Sequence, residues 1–172
     1  MMATIPIEQH WLVDDGLVPN NVRLPLVVYR GAFDASGMPG MEAAIEVHFA
    51  ANDWSNAWVN GIYDFHHYHA TAHEVLGVAR GTANVQFGGA GGPVVRVAAG
   101  DAVMIPAGVG HCRRSSSADL SVVGAYPGGV DRDLKRATPA NYQQALREIP
   151  LVPVPASDPV MGASGPAMRA KP

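Results

Sequence analysis

Four of the seven histidines, His66, His67, His69 and His73, fall within eight residues of one another, and Glu74 follows the last directly. Imidazole and carboxylate are side chains that bind transition metals without cysteine, so the stretch raises the question of which of them converge. Along an extended strand side chains alternate faces. Tyr63, Phe65, His67 and His69 then share one face while Asp64, His66 and Tyr68 take the other, which makes His67 and His69 a two-ligand claw. A turn through residues 70–72 brings the next strand back beside the first, with Glu74 near the claw, Leu76 and Val78 continuing its face, and His73 pointing away. Farther along, the turn from Pro106 to Gly110 leads into His111, another imidazole. Three neutral imidazoles and a carboxylate suit Fe, Mn, Co, Ni, Cu or Zn, whereas calcium and magnesium prefer all-oxygen shells. The expected cofactor is one divalent transition metal per chain (Fe, Mn, Zn or Ni) on His67, His69, Glu74 and His111.

The neighbours of these residues have plainer readings beside functional ones. His66 and His73 flank the set, placed to orient a ligand rather than to bind. Tyr63 and Phe65 line the cavity on the His67 face; core packing is their ordinary role, but Tyr63 could also donate a hydrogen bond to substrate and is the one catalytic candidate. Arg113 lies two residues beyond His111, about 7 Å along the same face of a strand. It reads either as a solvated rim arginine or as an anchor for an anionic substrate. Cys112, the sole cysteine, takes the opposite face and reads as an ordinary thiol. Arg80, six residues past Glu74 or about 20 Å of extended chain, belongs to the other end of the barrel.

The elements that must position these groups are mostly short strands. Leu24–Arg30 is apolar and β-branched, and its proline favours an edge or a strand start. Met41–Asn52 has helical spacing after the start signal Pro39-Gly40, and His48 on it is a surface or packing histidine. From Gly61 to Tyr126 β-prone runs (residues 63–69, 74–78, 84–87, 94–97, 102–105 and 120–126) alternate with glycine-rich turns, the pattern of an antiparallel sandwich or barrel. From Pro127 to the end, where eight of the fourteen prolines lie, one helical patch spans residues 141–149, and the apolar pairs Leu151-Val152 and Val160-Met161 favour docking of the tail. The expected organisation is one domain: residues 1–60 packed on the barrel, 61–126 as its core, and 127–172 as an extension.

Composition narrows the partners. The 172 residues carry a formal charge of −3 and no Lys/Arg run, which argues against nucleic acid. Met1–Glu8 lacks a signal-peptide pattern and no apolar run approaches the ~20 residues of a membrane span, so no membrane association is expected and the cytoplasm is the expected location. The low 16% charged fraction and the long tail point to association, expected as a homodimer.

The spacing then becomes specific. Gly61, His67, His69, Glu74 and Gly81 are separated by five, one, four and six residues; Gly100, Pro106, Gly108 and His111 by five, one and two. These runs resemble the two conserved motifs of the cupin superfamily (RmlC-like), departing only where Ser115 stands in place of the closing asparagine. Asp14-Asp15-Gly16, His67-Tyr68-His69, Gly108-Val109-Gly110-His111 and Asp158-Pro159-Val160 extend the resemblance, over nearly the whole chain, to the YjlB-like small bacterial cupins. The resemblance implies an all-β jelly-roll barrel with the metal inside it on the residues named above. It implies no substrate. The expected activity is metal-dependent turnover of a small polar molecule, oxygenase chemistry ahead of isomerase or lyase chemistry; the alternative is a module that binds or senses a small ligand without turnover.

Overall fold

A computed structural model of the chain describes residues 4–34 and 38–172; the first three residues of the Met1–Glu8 stretch lie outside them. Eleven strands are present among these residues: β1 (Ile7–His10), β2 (Leu26–Tyr29), β3 (Trp54–Asn60), β4 (His67–Tyr68), β5 (Glu74–Arg80), β6 (Thr82–Phe87), β7 (Val94–Ala98), β8 (Ala102–Ile105), β9 (His111–Ser116), β10 (Ser121–Pro127) and β11 (Lys135–Arg136). They pair antiparallel in two sheets, ordered β1-β2-β8-β5-β10-β3 and β11-β4-β9-β6-β7, which together form a jelly-roll barrel. Two helices, α1 (Met41–Ala51) and α2 (Pro139–Glu148), lie outside it.

Alternation along the strands divides the apolar residues into two layers. Leu76, Val78, Val103, Ile105 and Val122 point into the barrel, where they meet Val85, Phe87 and Val97 of the facing sheet. Their neighbours Val75, Met104, Val123 and Ala125 point outward, under Ile45 and Phe49 of α1 and under Val160 and Ala167 of the tail. The six-stranded sheet is thus covered on both faces, which is why its central strands read as continuous apolar runs. Gly77 is where α1 comes closest: a Cβ there would stand 2.6 Å from Ile45 Cγ2, so the helix seats only on a bare backbone.

The tail docks through one buried carboxylate. Asp158 accepts hydrogen bonds from the Tyr29 hydroxyl (2.6 Å) and from the backbone N–H groups of Val160, Met161 and Ala167 (2.8, 2.8 and 3.0 Å). His48 reaches the Val160 carbonyl at 2.8 Å, and Trp54 donates its indole N–H to the Ser157 carbonyl at 3.0 Å. Among the described residues no helix is long and apolar enough to cross a membrane.

Several expectations need correction. The barrel is not confined to residues 61–126, because β1, β2 and β3 come from before it and β11 from after it. The expected strand over 63–69 contracts to His67–Tyr68, since residues 61–66 run irregularly toward the barrel mouth. Of the two places its proline allowed, β2 takes the strand start and not the edge: it lies between β1 and β8, and Pro25 immediately precedes it, so no ladder N–H is lost. Finally, β4 and β5 belong to different sheets, so residues 69–73 are a crossover and not a hairpin turn.

Candidate metal centre

The crossover decides the geometry. It carries the chain from one wall of the barrel to the other, so that His69, at the end of β4, and Glu74, at the start of β5, face each other across the interior. β9 supplies His111. Glu74 Oε1 stands 3.4 Å from His69 Nε2 and 3.5 Å from His111 Nε2, with all three side chains buried, and the three ligand atoms lie within 4.8 Å of one another. Two ligands each ~2.1 Å from one ion at a tetrahedral angle stand roughly 3.4 Å apart, so the spacing is that of a coordination set.

The histidines are fixed in the tautomer a metal needs. His67 Nδ1 lies 2.9 Å from the Phe65 carbonyl, His111 Nδ1 3.2 Å from the Val109 carbonyl, and His69 Nδ1 against the Asp133 carbonyl. A carbonyl oxygen can only accept, so each Nδ1 carries a proton, and Nε2 is left to give its lone pair to a metal or, with none bound, to direct a proton at Glu74 where the two are close enough. Glu74 is held from behind in the same way. Its Oε2 accepts a 2.7 Å hydrogen bond from the Tyr126 hydroxyl, which in turn accepts one of 2.8 Å from Trp58 Nε1.

His67 stands beside this set rather than in it. It pairs with His111 across β4 and β9, their ring centroids 4.0 Å apart, but its ring is 6.1 Å from that of His69 and its nitrogens fall outside the three-atom cluster. Burial, reinforced by the neighbouring His111, pushes its pKa down to about 3, so it is neutral at pH 7. Burial alone would raise Glu74, but hydrogen bonds from His111 and His69 outweigh it and hold the carboxyl well below its usual range. Burial opposes protonation of His69, and the Glu74 carboxylate, helped by Asp133, overcomes it and raises the pKa. A buried carboxylate faced by two imidazoles whose Nδ1 atoms are tethered to carbonyls is a donor set for a divalent transition metal once their Nε2 atoms give up any proton on the ion's arrival.

The group forms the floor of a cavity of about 790 Å³, within the range of small-molecule sites. Trp58, Ile62 and Leu76 line its wall, and Tyr63, Arg113 and Arg132 its upper part. Tyr63 is 54% exposed, at the mouth, its ring edge-on to His67 at 5.2 Å. Phe65 stacks on Tyr63 at 4.8 Å and lies beneath the Arg136 guanidinium, away from the cavity wall. Arg113 donates from Nε to the Ile62 carbonyl at 3.0 Å. Cys112 is buried, outside the cavity wall, and Arg80 pairs with Glu42 on α1.

The orienting role expected of His66 and His73 falls to other groups. His66 has its Nδ1 buried without a hydrogen-bond partner, so that nitrogen orients no ligand. His73 accepts from the Ala107 N–H at 2.9 Å and faces the Pro153 carbonyl at 2.8 Å, so both its nitrogens are used outside the barrel. Ser115 likewise serves elsewhere, accepting from Asn84 at the exposed end of β9. The residues that back the ligands, Asp133, Tyr126 and Trp58, were not picked out from sequence. Tyr126 shares parity with Val122 on β10, which places it on the inner face; Asp133, within Asp131-Arg132-Asp133 in an aperiodic segment, gives no such signal.

No family model matches the chain. It is 42% identical over 162 residues to the uncharacterised protein YjlB of Bacillus subtilis (strain 168), a match covering 94% of both chains. The chain is a YjlB-like cupin. Solved structures resemble this cupin more loosely. Acireductone dioxygenase from Bacillus anthracis, with cadmium in its active centre, is 16% identical at a TM-score of 0.37, over 54% of this chain and 61% of that one. A mutant of Bacillus subtilis oxalate decarboxylase OxdC is 17% identical at 0.35, over 71% and 27%. The polyketide cyclase RemF from Streptomyces resistomycificus is 14% identical at 0.36, over 84% and 94%. At these values the likeness carries nothing over to this chain, and the chemistry of each remains its own.

Proposed function

We propose that this YjlB-like cupin is a metal-dependent enzyme acting on a small polar molecule inside the barrel, with oxidation by dioxygen favoured over isomerisation or lyase chemistry. The observation that carries the reading is a buried carboxylate, Glu74, faced by the two Nδ1-tethered imidazoles of His69 and His111, with the tethered imidazole of His67 beside them on the wall of an open cavity. His69, Glu74 and His111 would hold the ion, with His67 closing the set, and a divalent metal there supplies Lewis acidity or, as Fe(II), a centre for dioxygen chemistry. The chain's own contribution is orientation and exclusion of water. Tyr126 and Trp58 fix the carboxylate, while Ile62 and Leu76 make the wall apolar above it.

The preference for oxidation rests on what the wall lacks. Isomerisation or elimination needs a general acid or base within reach of the substrate. Tyr126 is committed to Glu74, and Asp133 to Ala70, Thr71 and Lys135, which leaves Tyr63 at the mouth. The same scarcity favours a second reading, a module that retains a ligand without turning it over. The two separate in an oxygen-uptake assay of Fe(II)-loaded protein with a panel of small hydroxy acids, oxo acids and diketones. Turnover predicts uptake matched by substrate loss and absent from Glu74→Gln. Ligand that co-elutes with the protein unchanged, with uptake no greater than in Glu74→Gln, supports the binding module.

A further inference from the structure

The cavity wall carries an unusual balance of charge for a chain whose formal net charge is −3. Four residues of the wall are of charged type: Glu74, Asp133, Arg113 and Arg132. Glu74 lies on the floor, against His69 and His111. Asp133 is answered locally: its Oδ1 accepts from the Ala70 and Thr71 N–H groups at 2.9 and 3.1 Å and from the Thr71 hydroxyl at 2.9 Å, and its Oδ2 lies 3.2 Å from Lys135 Nζ. The two arginines have no such answer. Neither forms an ion pair among the described residues, and Arg113 spends only its Nε, on the Ile62 carbonyl, which fixes the guanidinium while leaving its two terminal nitrogens for another acceptor. Arg132 lies over the ring of Tyr126, 5.3 Å from its centroid, and that ring is itself buried behind Glu74. Arg132 is an exposed residue, and this contact sets its guanidinium along the cavity wall.

From this arrangement we infer that the molecule taken up by the barrel is a small organic anion whose carboxylate is held by Arg113 and Arg132 and whose body lies against the apolar wall. Guanidinium groups bind carboxylates through paired, charge-assisted N–H donors, and in a partly desolvated cavity such contacts are stronger than at an open surface. The remaining wall is mixed: Ile62, Leu76, Leu120 and Trp58 give it an apolar side, Asn60, Ser116 and Ser117 a polar one, and Val59 and Leu134 are each 51% exposed. The inference names the substrate class of the proposed metal site and in that sense rests on it, but the anion-binding half stands on the arginines alone.

The test is calorimetric titration of acetate, hexanoate and benzoate, each against its matched amide, into metal-loaded and chelator-treated protein. The acid with the largest apolar body that fits is expected to bind about tenfold or more tightly than its amide, with affinity falling as salt is added. Arg132→Gln and Arg113→Gln should each erase most of that preference, while Arg113→Lys, which keeps the charge, should retain part of it. Melting curves matching the wild type show that the variants fold, and Arg132, on an exposed segment, supplies the decisive variant if Arg113→Gln does not. Equal binding of acids and amides, no saturable binding of any acid, or a preference unchanged in Arg132→Gln would overturn the inference. If the preference persists in chelator-treated protein while no metal can be loaded, the metal reading fails and the anion site stands. If metal loads but the acids show no preference, the opposite holds.

Discussion

His69 and His73 are four residues apart, both buried, and they occupy two regions that use the same side chain in opposite ways. On the floor of the cavity, a carbonyl oxygen accepts from Nδ1 of His69 and leaves Nε2 facing Glu74, with no other group of the chain competing for it. On the outer side, the Ala107 N–H occupies Nδ1 of His73, so the proton sits on Nε2 and goes to the Pro153 carbonyl of the tail. One imidazole keeps a lone pair for an external partner; the other has none to give. Burial and residue type are shared, so what separates a ligand from a structural clamp is which nitrogen the backbone engages.

That contrast can be broken from either side. The largest expected effect is at the floor: His111→Ala or Glu74→Gln should lower metal affinity by more than the ~10–100-fold typical of losing a supporting contact, whereas His73→Gln and His66→Ala should leave metal content near the wild-type level, all read by competition with a chelator. Next comes Tyr126→Phe, which removes the hydrogen bond on Glu74 Oε2 but leaves the ring, and is expected to weaken metal binding by about tenfold without unfolding the protein.

The clamp has a pH signature of its own. Burial pushes His73 down to about 4, against roughly 6.5 in an unfolded chain. The unfolded state therefore takes up a proton that the folded state refuses, and the stability held above pH 6.5 is lost as pH falls toward 4, by up to about 1.4 kcal/mol per pH unit. Denaturant melts of chelator-treated protein at pH 7 and pH 5 should show that slope added to the like-signed one from His67, and His73→Gln should be less stable at pH 7 and lose the His73 share of the slope. The smallest effect belongs to the mouth: Leu134→Ala, at a half-exposed side chain, should change stability by no more than about 0.5 kcal/mol and leave metal content unaltered.

The parts of this account legible in the sequence were those carried by local periodicity. Strand parity placed Glu74, Leu76 and Val78 on one inner face, and α1 fell within one residue of its expected end. What parity could not show was which sheet each strand joins. His69 and Glu74 meet because residues 69–73 cross the barrel, and a hairpin reading predicts the same neighbours for a different reason. Asp133 and β11 were invisible for a related cause: two charged residues pairing with β4 carry no alternation, and their role exists only once the chain has returned past His67. His67 lies beside the cluster and not in it, although it shares the strand face that parity assigns to His69.

The central claim is that a metal sits on His69, Glu74 and His111. Elemental analysis of protein purified without a His tag or chelating column tests it most directly, with Glu74→Gln prepared in parallel. The account predicts about one divalent transition metal per wild-type chain and a small fraction of that in the variant. Metal-free wild type, even after anaerobic reconstitution with Fe(II), Mn(II), Zn(II) and Ni(II), or equal metal in Glu74→Gln, would contradict it.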